Sequence, residues 1–317
     1  MTEQEIFISI CIPAYKRSDF VKRLLSSIAI QTFRNFEVIV SDDTPGHEVR
    51  QIVETFSSEL SPIIYHKNPQ PLGTPANWNK AISLSRGKWI KIMHDDDWFS
   101  GPDSLVKFAD AAKKETSALL FASYYDVFLS TGKQKRIIPP AFRFRMLMKE
   151  PAILISRNII GPPSVIMHRN DRLHFYDTGL KWLVDIDMYV RRLKDEKIVY
   201  LPEPLVKVGI GSTQVTASVH GAAEVEVPEY FHFLQKTGVE KLRNVLVYDA
   251  WWRFIRNFQL FSKEAIQRYG YTGTIPHVIL KMISLQQRLP LALLKNGIFS
   301  KTAMFFHFLW NRKKISG

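Results

Sequence analysis

The first part of the chain alternates short apolar runs with amphipathic stretches of helical period. Residues 6–12 are apolar apart from Ser9 and read as a buried strand. Within residues 18–30, Val21, Leu24, Leu25 and Ile28 share one helical face, with Ser18 as the expected N-cap. Residues 36–41 form a second apolar strand that ends in Asp42-Asp43. The alternation continues with a helix over 47–56, a strand over 63–66, a helix over 76–85 and a strand over 89–93. A helix over 104–114 and a fifth strand over 118–129 follow. Strands joined through helices of this length predict parallel pairing with helices on both faces, an α/β sandwich. The pattern weakens over 139–158, where Phe142-Arg143-Phe144-Arg145 reads as a loop or short helix. Gly161-Pro162-Pro163-Ser164 is a turn into a strand at 165–168, 182–193 is helical, and a strand at 198–201 is stopped by Pro202-Glu203-Pro204. Past about residue 221 the chain becomes helices rich in aromatics and Lys/Arg, which places a domain transition near 211–228 and divides the chain into 1–220 and 221–317.

Polar clusters close the first, second and fourth strands: Pro13-Ala14-Tyr15-Lys16-Arg17, Asp42-Asp43-Thr44 and His94-Asp95-Asp96-Asp97. Open parallel sheets bind ligands just beyond the carboxyl ends of their strands, so three polar loops on that edge form a candidate site. The last cluster is the most informative. Adjacent carboxylates repel and raise one another's pKa, and a divalent metal carrying a phosphate is a common compensating charge. The bland alternative is a solvated acidic turn. Neither G-x-G-x-x-G nor G-x-x-x-x-G-K-[ST] occurs, which removes the dinucleotide cradle and the P-loop.

With 46% hydrophobic and 23% charged residues, the 317-residue chain has the composition of a globular protein. Its single cysteine, Cys11, cannot form an internal disulfide, and the start of the chain is polar and acidic. These features, with no apolar run long enough to span a bilayer, predict a cytoplasmic protein. The net charge of +13 is uneven: residues 241–317 hold thirteen Lys/Arg against Asp249 and Glu264, a net +11. That asymmetry points to an anionic surface as partner for the C-terminal part. A nucleic-acid module is the competing reading, but Trp251, Phe254, Ile255 and Phe258 recur at helical spacing, which favours a packing face, and no nucleic acid is expected.

Several segments, taken in order, resemble the family-2 glycosyltransferases, inverting enzymes of GT-A fold. Ile8-Ser9-Ile10-Cys11-Ile12-Pro13-Ala14-Tyr15 is similar to the family's opening strand and nucleotide-contacting turn. Ser27-Ile28 with Gln31-Thr32-Phe33, then Phe36-Glu37-Val38-Ile39-Val40-Ser41-Asp42-Asp43, resembles its second segment. Gly73, Asn79, Ala81 and Arg86-Gly87-Lys88-Trp89-Ile90 match the run before its metal motif. The resemblance covers residues 6–214 and implies a GT-A α/β/α sandwich of the nucleotide-diphospho-sugar transferase kind, followed by a helical extension.

The resemblance also implies roles. Asp43 would hydrogen-bond the donor base, Pro13, Ala14 and Tyr15 would wall its pocket, Asn79 would belong to the nucleotide site, and Asp95 would face the ribose. Asp96 would hold a divalent metal, Mn2+ or Mg2+. Asp185, in Val184-Asp185-Ile186-Asp187-Met188-Tyr189, would be the general base; Asp187, on a different helical face, reads from its position as a cap or a salt bridge near Arg191. The sequence departs from the family pattern at His94, where many members have an aspartate, and at Trp78, where arginine is common. The activity implied is transfer from a nucleotide-diphospho-sugar, UDP-sugar favoured, to a glycan or lipid-linked acceptor in cell-surface polysaccharide synthesis. Residues 241–317 would touch the inner face of a membrane peripherally. A sugar-phosphate nucleotidyltransferase is the alternative enzyme, but it needs a glycine-rich basic loop where Pro13-Ala14-Tyr15-Lys16-Arg17 stands. His66, His168 and His174 show no ligand spacing, and His220 receives no role.

Overall fold

A computed structural model describes residues 5–115, 118–211 and 221–315. Its strands, in chain order, are β1 (Ile8–Ala14), β2 (Phe36–Asp42), β3 (Ile63–Lys67), β4 (Trp89–Ile92), β5 (Trp98–Phe99), β6 (Ala118–Phe128), β7 (Gln134–Ile137), β8 (Ile166–Arg169) and β9 (Lys197–Ile210). They form one sheet in the order β3-β2-β1-β4-β8-β6-β9-β5, with β7 paired to β6. Every residue of β1, β2 and β4 is buried, as a parallel sheet covered on both faces requires, so these strands read as continuous apolar runs.

The helices α1 (Ser18–Ala29), α2 (Glu48–Thr55), α3 (Ala76–Leu84), α4 (Ser104–Lys114), α5 (Ala141–Leu147) and α6 (Val184–Arg192) alternate with these strands. The pairs β1–β2, β2–β3 and β1–β4 are parallel, as helix-linked strands predict. The sheet is not parallel throughout, however. β8 runs antiparallel to both β4 and β6. The α4 crossover brings β6 back in the direction of β4 but one position away, and β8 fills the gap. Because β8 is entered through the turn at Pro162-Pro163 and not through a crossover helix, it is free to run the opposite way.

Two further expectations change, and one open choice is decided. β9 does not stop at Pro202 but continues to Ile210; its register against β6 shifts at Ala122 and Ser123, and this bulge accommodates the prolines. Ser18 is the first helical residue of α1 and not its cap; Arg17 occupies the cap position without a side-chain capping bond. Residues 142–145 are helical, within α5.

The chain divides into two compact units, the first comprising Met1–Phe144, Ile159–Gly179 and Asp187–Gln214, the second Arg145–Asn158, Leu180–Ile186 and Val215–Gly317. The first contains the sheet. The second contains α7 (Ala223–Thr237), α8 (Val245–Asn257), α9 (Lys263–Arg268), α10 (His277–Arg288), α11 (Leu291–Lys295) and α12 (Gly297–Asn311). Its core is aromatic: Trp251, Trp252 and Tyr248 are fully or almost fully buried, Tyr230 stacks on Phe254 at 4.1 Å, and Phe231 stacks on Tyr271 at 4.5 Å. Trp251, Phe254 and Ile255 therefore serve packing, as their spacing predicts. Among the described residues, no helix is long and apolar enough to cross a membrane.

Inside the first unit, Glu37 is fully buried and collects four donors: Ser9 Oγ at 2.6 Å, the Arg86 amide at 2.5 Å, the Gly87 amide at 3.2 Å and Arg86 Nε at 3.1 Å. One carboxylate thereby ties β2 to β1 and to the turn entering β4. Glu37→Ala strands these donors and is expected to destabilise the fold by about 3 kcal/mol or more, measured by urea denaturation. A second close contact lies where β9 passes the 94–97 turn. A Cβ on Gly209 would sit 2.4 Å from the carbonyl oxygen of Asp96. Gly209→Ala is expected to cost about 1–3 kcal/mol in the same assay, because backbone and not a yielding side chain must move.

Candidate active site

Residues 94–97 turn tightly off β4, with the Asp97 amide donating to the His94 carbonyl at 3.0 Å. Asp95, Asp96 and Asp97 are only 3%, 7% and 1% exposed, which excludes a solvated acidic turn. Arg17 supplies compensating charge: Nη1 donates to Asp96 Oδ2 at 3.1 Å, and Nη2 pairs with Asp95. The α1 cap thus points its side chain into the acidic cluster. Arg23 Nη2 donates to the Asp96 carbonyl at 2.8 Å, its guanidinium lying 3.7 Å from the centre of the Trp98 ring. Asp97 accepts from the Gly209 amide at 3.1 Å and from the Ser164 hydroxyl. Burial pushes Asp95 up to about 7 despite Arg17, and burial together with the Asp96 charge holds Asp97 well above the usual carboxylate range. The cluster is under-compensated and favours an added cation.

The donor set matches one. A His94 ring nitrogen and one oxygen each from Asp96 and Asp97 lie within 4.8 Å of one another. Among the described residues His94 Nε2 is buried without a hydrogen-bond partner, and burial lowers the ring to about 4, so the neutral imidazole keeps a lone pair. One nitrogen and two carboxylate oxygens fit Mn2+ or Mg2+ with further ligands from a substrate. The sequence marks the whole run His94-Asp95-Asp96-Asp97 for a metal, but the resemblance gives the ligand role to Asp96 only; the structure adds His94 and Asp97 as further donors.

At the end of β1, Ala14 pairs with Asp42, its carbonyl accepts from the Asp43 amide at 3.0 Å, and the Tyr15 amide donates to Asp95. Pro13, Ala14, Tyr15, Asp43 and Asp95 are thereby gathered on one sheet edge. The Tyr15 ring is 46% exposed, and Lys16, in left-handed backbone at φ 66°, holds its ammonium 4.9 Å from that ring's centre. Asp43 already accepts from Asn68 Nδ2 at 2.8 Å and from the Leu72 and Gly73 amides at 3.0 and 2.8 Å. A carboxylate has about four acceptor positions, so about one is left for a ligand.

Asn79 is engaged elsewhere. Its amide exchanges two hydrogen bonds with the Tyr176 backbone, at 2.7 and 2.8 Å. Tyr176 packs edge-on against Trp78 at 5.1 Å, and Trp78 lies against His94 at 4.6 Å. The two positions that depart from the family pattern are thus in contact.

Asp185 lies in the first turn of α6, in the portion belonging to the second unit. Burial raises its carboxyl to about 6, against the Ile186 amide at 2.8 Å and Asn158 Nδ2 at 2.7 Å, both of which favour the ionised form. Asp187 pairs with Arg191 at 2.8 Å, as the spacing predicts. His174 bonds Asp171 at 2.7 Å, a structural contact. His220 and the polar residues 212–214 lie outside the described residues.

Comparison with known proteins bears on the fold and the family. Residues 9–168 match the model of glycosyl transferase family 2. The chain is 27% identical over 273 residues to the putative colanic acid biosynthesis glycosyl transferase WcaA of Escherichia coli K12, covering 84% of this chain and 90% of that one. It is 29% identical over 135 residues to the abequosyltransferase RfbV of Salmonella typhimurium LT2, over 41% of this chain and 37% of RfbV. Among solved structures, S. aureus TarS 1-349 in complex with UDP-GlcNAc superposes with a TM-score of 0.58 at 16% identity, over 97% of this chain and 91% of that one. The mannosyltransferase PcManGT of Pyrobaculum calidifontis, in complex with GDP-Man and Mn2+, gives 0.57 at 12% identity, over 96% and 86%. The mixed α/β sheet followed by helices is that of the GT-A glycosyltransferases, and the chain belongs to glycosyl transferase family 2.

Proposed function

We propose that the chain moves a sugar from a nucleotide-diphospho-sugar, UDP-sugar favoured, to an acceptor hydroxyl with inversion, in the assembly of a cell-surface polysaccharide. The observation that carries this reading is the buried, under-compensated cluster of His94, Asp95, Asp96 and Asp97 beside the Pro13–Asp43 edge. The similarity to WcaA and the UDP-GlcNAc complex of TarS support the polymer and donor classes. We assign the chemistry to residues 1–220 and place 221–317 as the extension. The acceptor is a glycan or lipid-linked hydroxyl compound, met at the cytoplasmic face of a membrane that residues 241–317 approach.

In this reading His94, Asp96 and Asp97 hold Mn2+ or Mg2+, which when bound supplies positive charge for a diphosphate leaving group. The exposed Tyr15 ring stacks on the donor base, Asp43 accepts from it through its remaining lone pair, and Asp95 faces the ribose. Asn79 acts indirectly, by fixing Tyr176 behind Trp78 and His94. Asp185 removes the proton from the attacking hydroxyl; a carboxyl near 6 is ionised at neutral pH yet more basic than an ordinary aspartate. The reaction needs no covalent nucleophile.

A screen of nucleotide sugars for turnover with and without Mn2+ tests the reading directly. Asp96→Ala is expected to lower turnover by about 100-fold or more and to weaken Mn2+ binding measured by calorimetry. Near-wild-type values in both would remove Asp96 from the site.

The base assignment predicts a pH profile. Asp185 works ionised, so kcat/KM should rise with pH through about 6 and level off above it. Asn158→Ala removes a donor that favours the ionised form and should move this limb to higher pH. Asp185→Asn should cost roughly 100- to 10,000-fold in turnover while leaving donor binding intact. The folded value lies above the reference 3.8, so ionisation opposes folding as pH rises. Asp185→Asn should therefore be no less stable than wild type at neutral pH. A lost fold or lost donor binding would move the base elsewhere.

A further inference from the structure

A helix packed along one side with large apolar residues on the other leaves its second side without a partner. In α12, Ser300, Met304, Phe308 and Asn311 are buried, and Ser300 Oγ accepts from Trp252 Nε1 at 3.1 Å, which fixes this side against α8. Turning about 100° per residue places Ile298, Phe305, Phe306, Leu309 and Trp310 on the opposite arc. All five are exposed, Ile298 by 83%, Phe306 by 67% and Trp310 by 75%.

Charge identifies the occupant. Residues 265–317 contain eight Lys/Arg and no Asp or Glu. Lys301, Arg312, Lys313 and Lys314 flank the apolar arc and are exposed, with the Lys314 ammonium 5.2 Å from the centre of a Trp310 ring. Trp310 also lines, with Lys281, Ser284, Arg288 and His307, an open cavity of about 270 Å³. A second copy of the chain would set this basic rim against itself, and like charges across an interface oppose association. An anionic bilayer meets both halves of the surface. Aromatic and aliphatic side chains enter the headgroup–acyl boundary while Lys/Arg remain at phosphate level.

We infer that the exposed arc of α12 docks on an anionic lipid membrane, with Phe306, Leu309 and Trp310 entering the interface and Lys281 and Arg288 receiving lipid phosphate. This specifies the membrane contact of the proposed function, yet needs neither donor nor acceptor, so its failure is separable from failure of the transferase reading.

The test is co-sedimentation of the full chain with vesicles of phosphatidylcholine alone or mixed with phosphatidylglycerol, at low and high salt, without nucleotide sugar. Binding is expected to be about tenfold or more tighter to the mixed vesicles and to weaken at high salt. Each basic residue at such a surface contributes about fivefold, so Lys281→Gln with Arg288→Gln should weaken binding by about tenfold or more. Phe306→Ser with Trp310→Ser should reduce it further while leaving circular dichroism unchanged, since both side chains are exposed. Equal or negligible binding to both vesicle types would overturn the inference, as would variants that bind like wild type. A concentration-dependent dimer in light scattering that Phe306→Ser dissociates would assign the arc to a second copy and overturn it as well. If the double serine variant does not fold, the Lys281→Gln/Arg288→Gln pair decides alone.

Discussion

Three adjacent carboxylates taken out of water repel one another and lose hydration, and much of the first unit answers that cost. The cap position of α1 holds Arg17, whose guanidinium has no acceptor to cap the helix and instead faces Asp95 and Asp96. Arg23 bonds the backbone of the same turn while stacking on Trp98. β9 brings a glycine, the one residue without a Cβ to collide with the Asp96 carbonyl, and donates its amide to Asp97. Two of these arrangements are locally suboptimal, an uncapped helix and a glycine in a strand. Together they hold a negative cluster in place. Such violations of local rules concentrate where function requires them.

The same cluster explains why Trp78 and His94 belong together. An arginine beside an aspartate would add one positive and one negative charge to this corner. A tryptophan against a neutral imidazole removes both, and Tyr176, clamped by Asn79, packs edge-on against that tryptophan. Net charge is conserved by the exchange, while the histidine replaces an oxygen donor with a nitrogen. Double-mutant cycles are suited to such touching residues, because their effects should not add.

The helix-linked parallel strands were legible because full burial leaves an unbroken apolar run, and the polar loops at their ends pointed to the site. β8 was legible as a strand but not in direction, since direction depends on which neighbour leaves a gap. β9 past Pro202 was hidden because proline usually ends a strand, and a bulge on the β6 pairing is a long-range event. For the site, Asp96 and Asp185 stood out by pattern. The contacts that fix Asp97 and Arg17 did not, because they come from partners distant in sequence: Gly209 and Ser164 for Asp97, the acidic pair for Arg17. Asn79 shows the converse. It matches a motif, yet its amide groups are taken up by Tyr176, ninety-seven positions away.

Charge is segregated along the chain. The acidic residues of the candidate site, Asp43, Asp95, Asp96, Asp97 and Asp185, are wholly or partly buried, whereas the basic surplus is concentrated in 241–317 and is largely surface. Buried carboxylates paired locally with arginine and backbone amides project little field outward, so the potential felt at a distance follows the exposed Lys/Arg and the net +13. On the proposed reading, a diphosphate donor and an anionic surface would both be drawn in by this exterior charge, and the donor would meet the inner acidic cluster together with a divalent cation. The opposing signs need not cancel. They act at different ranges, the exterior over about a Debye length and the interior only on contact.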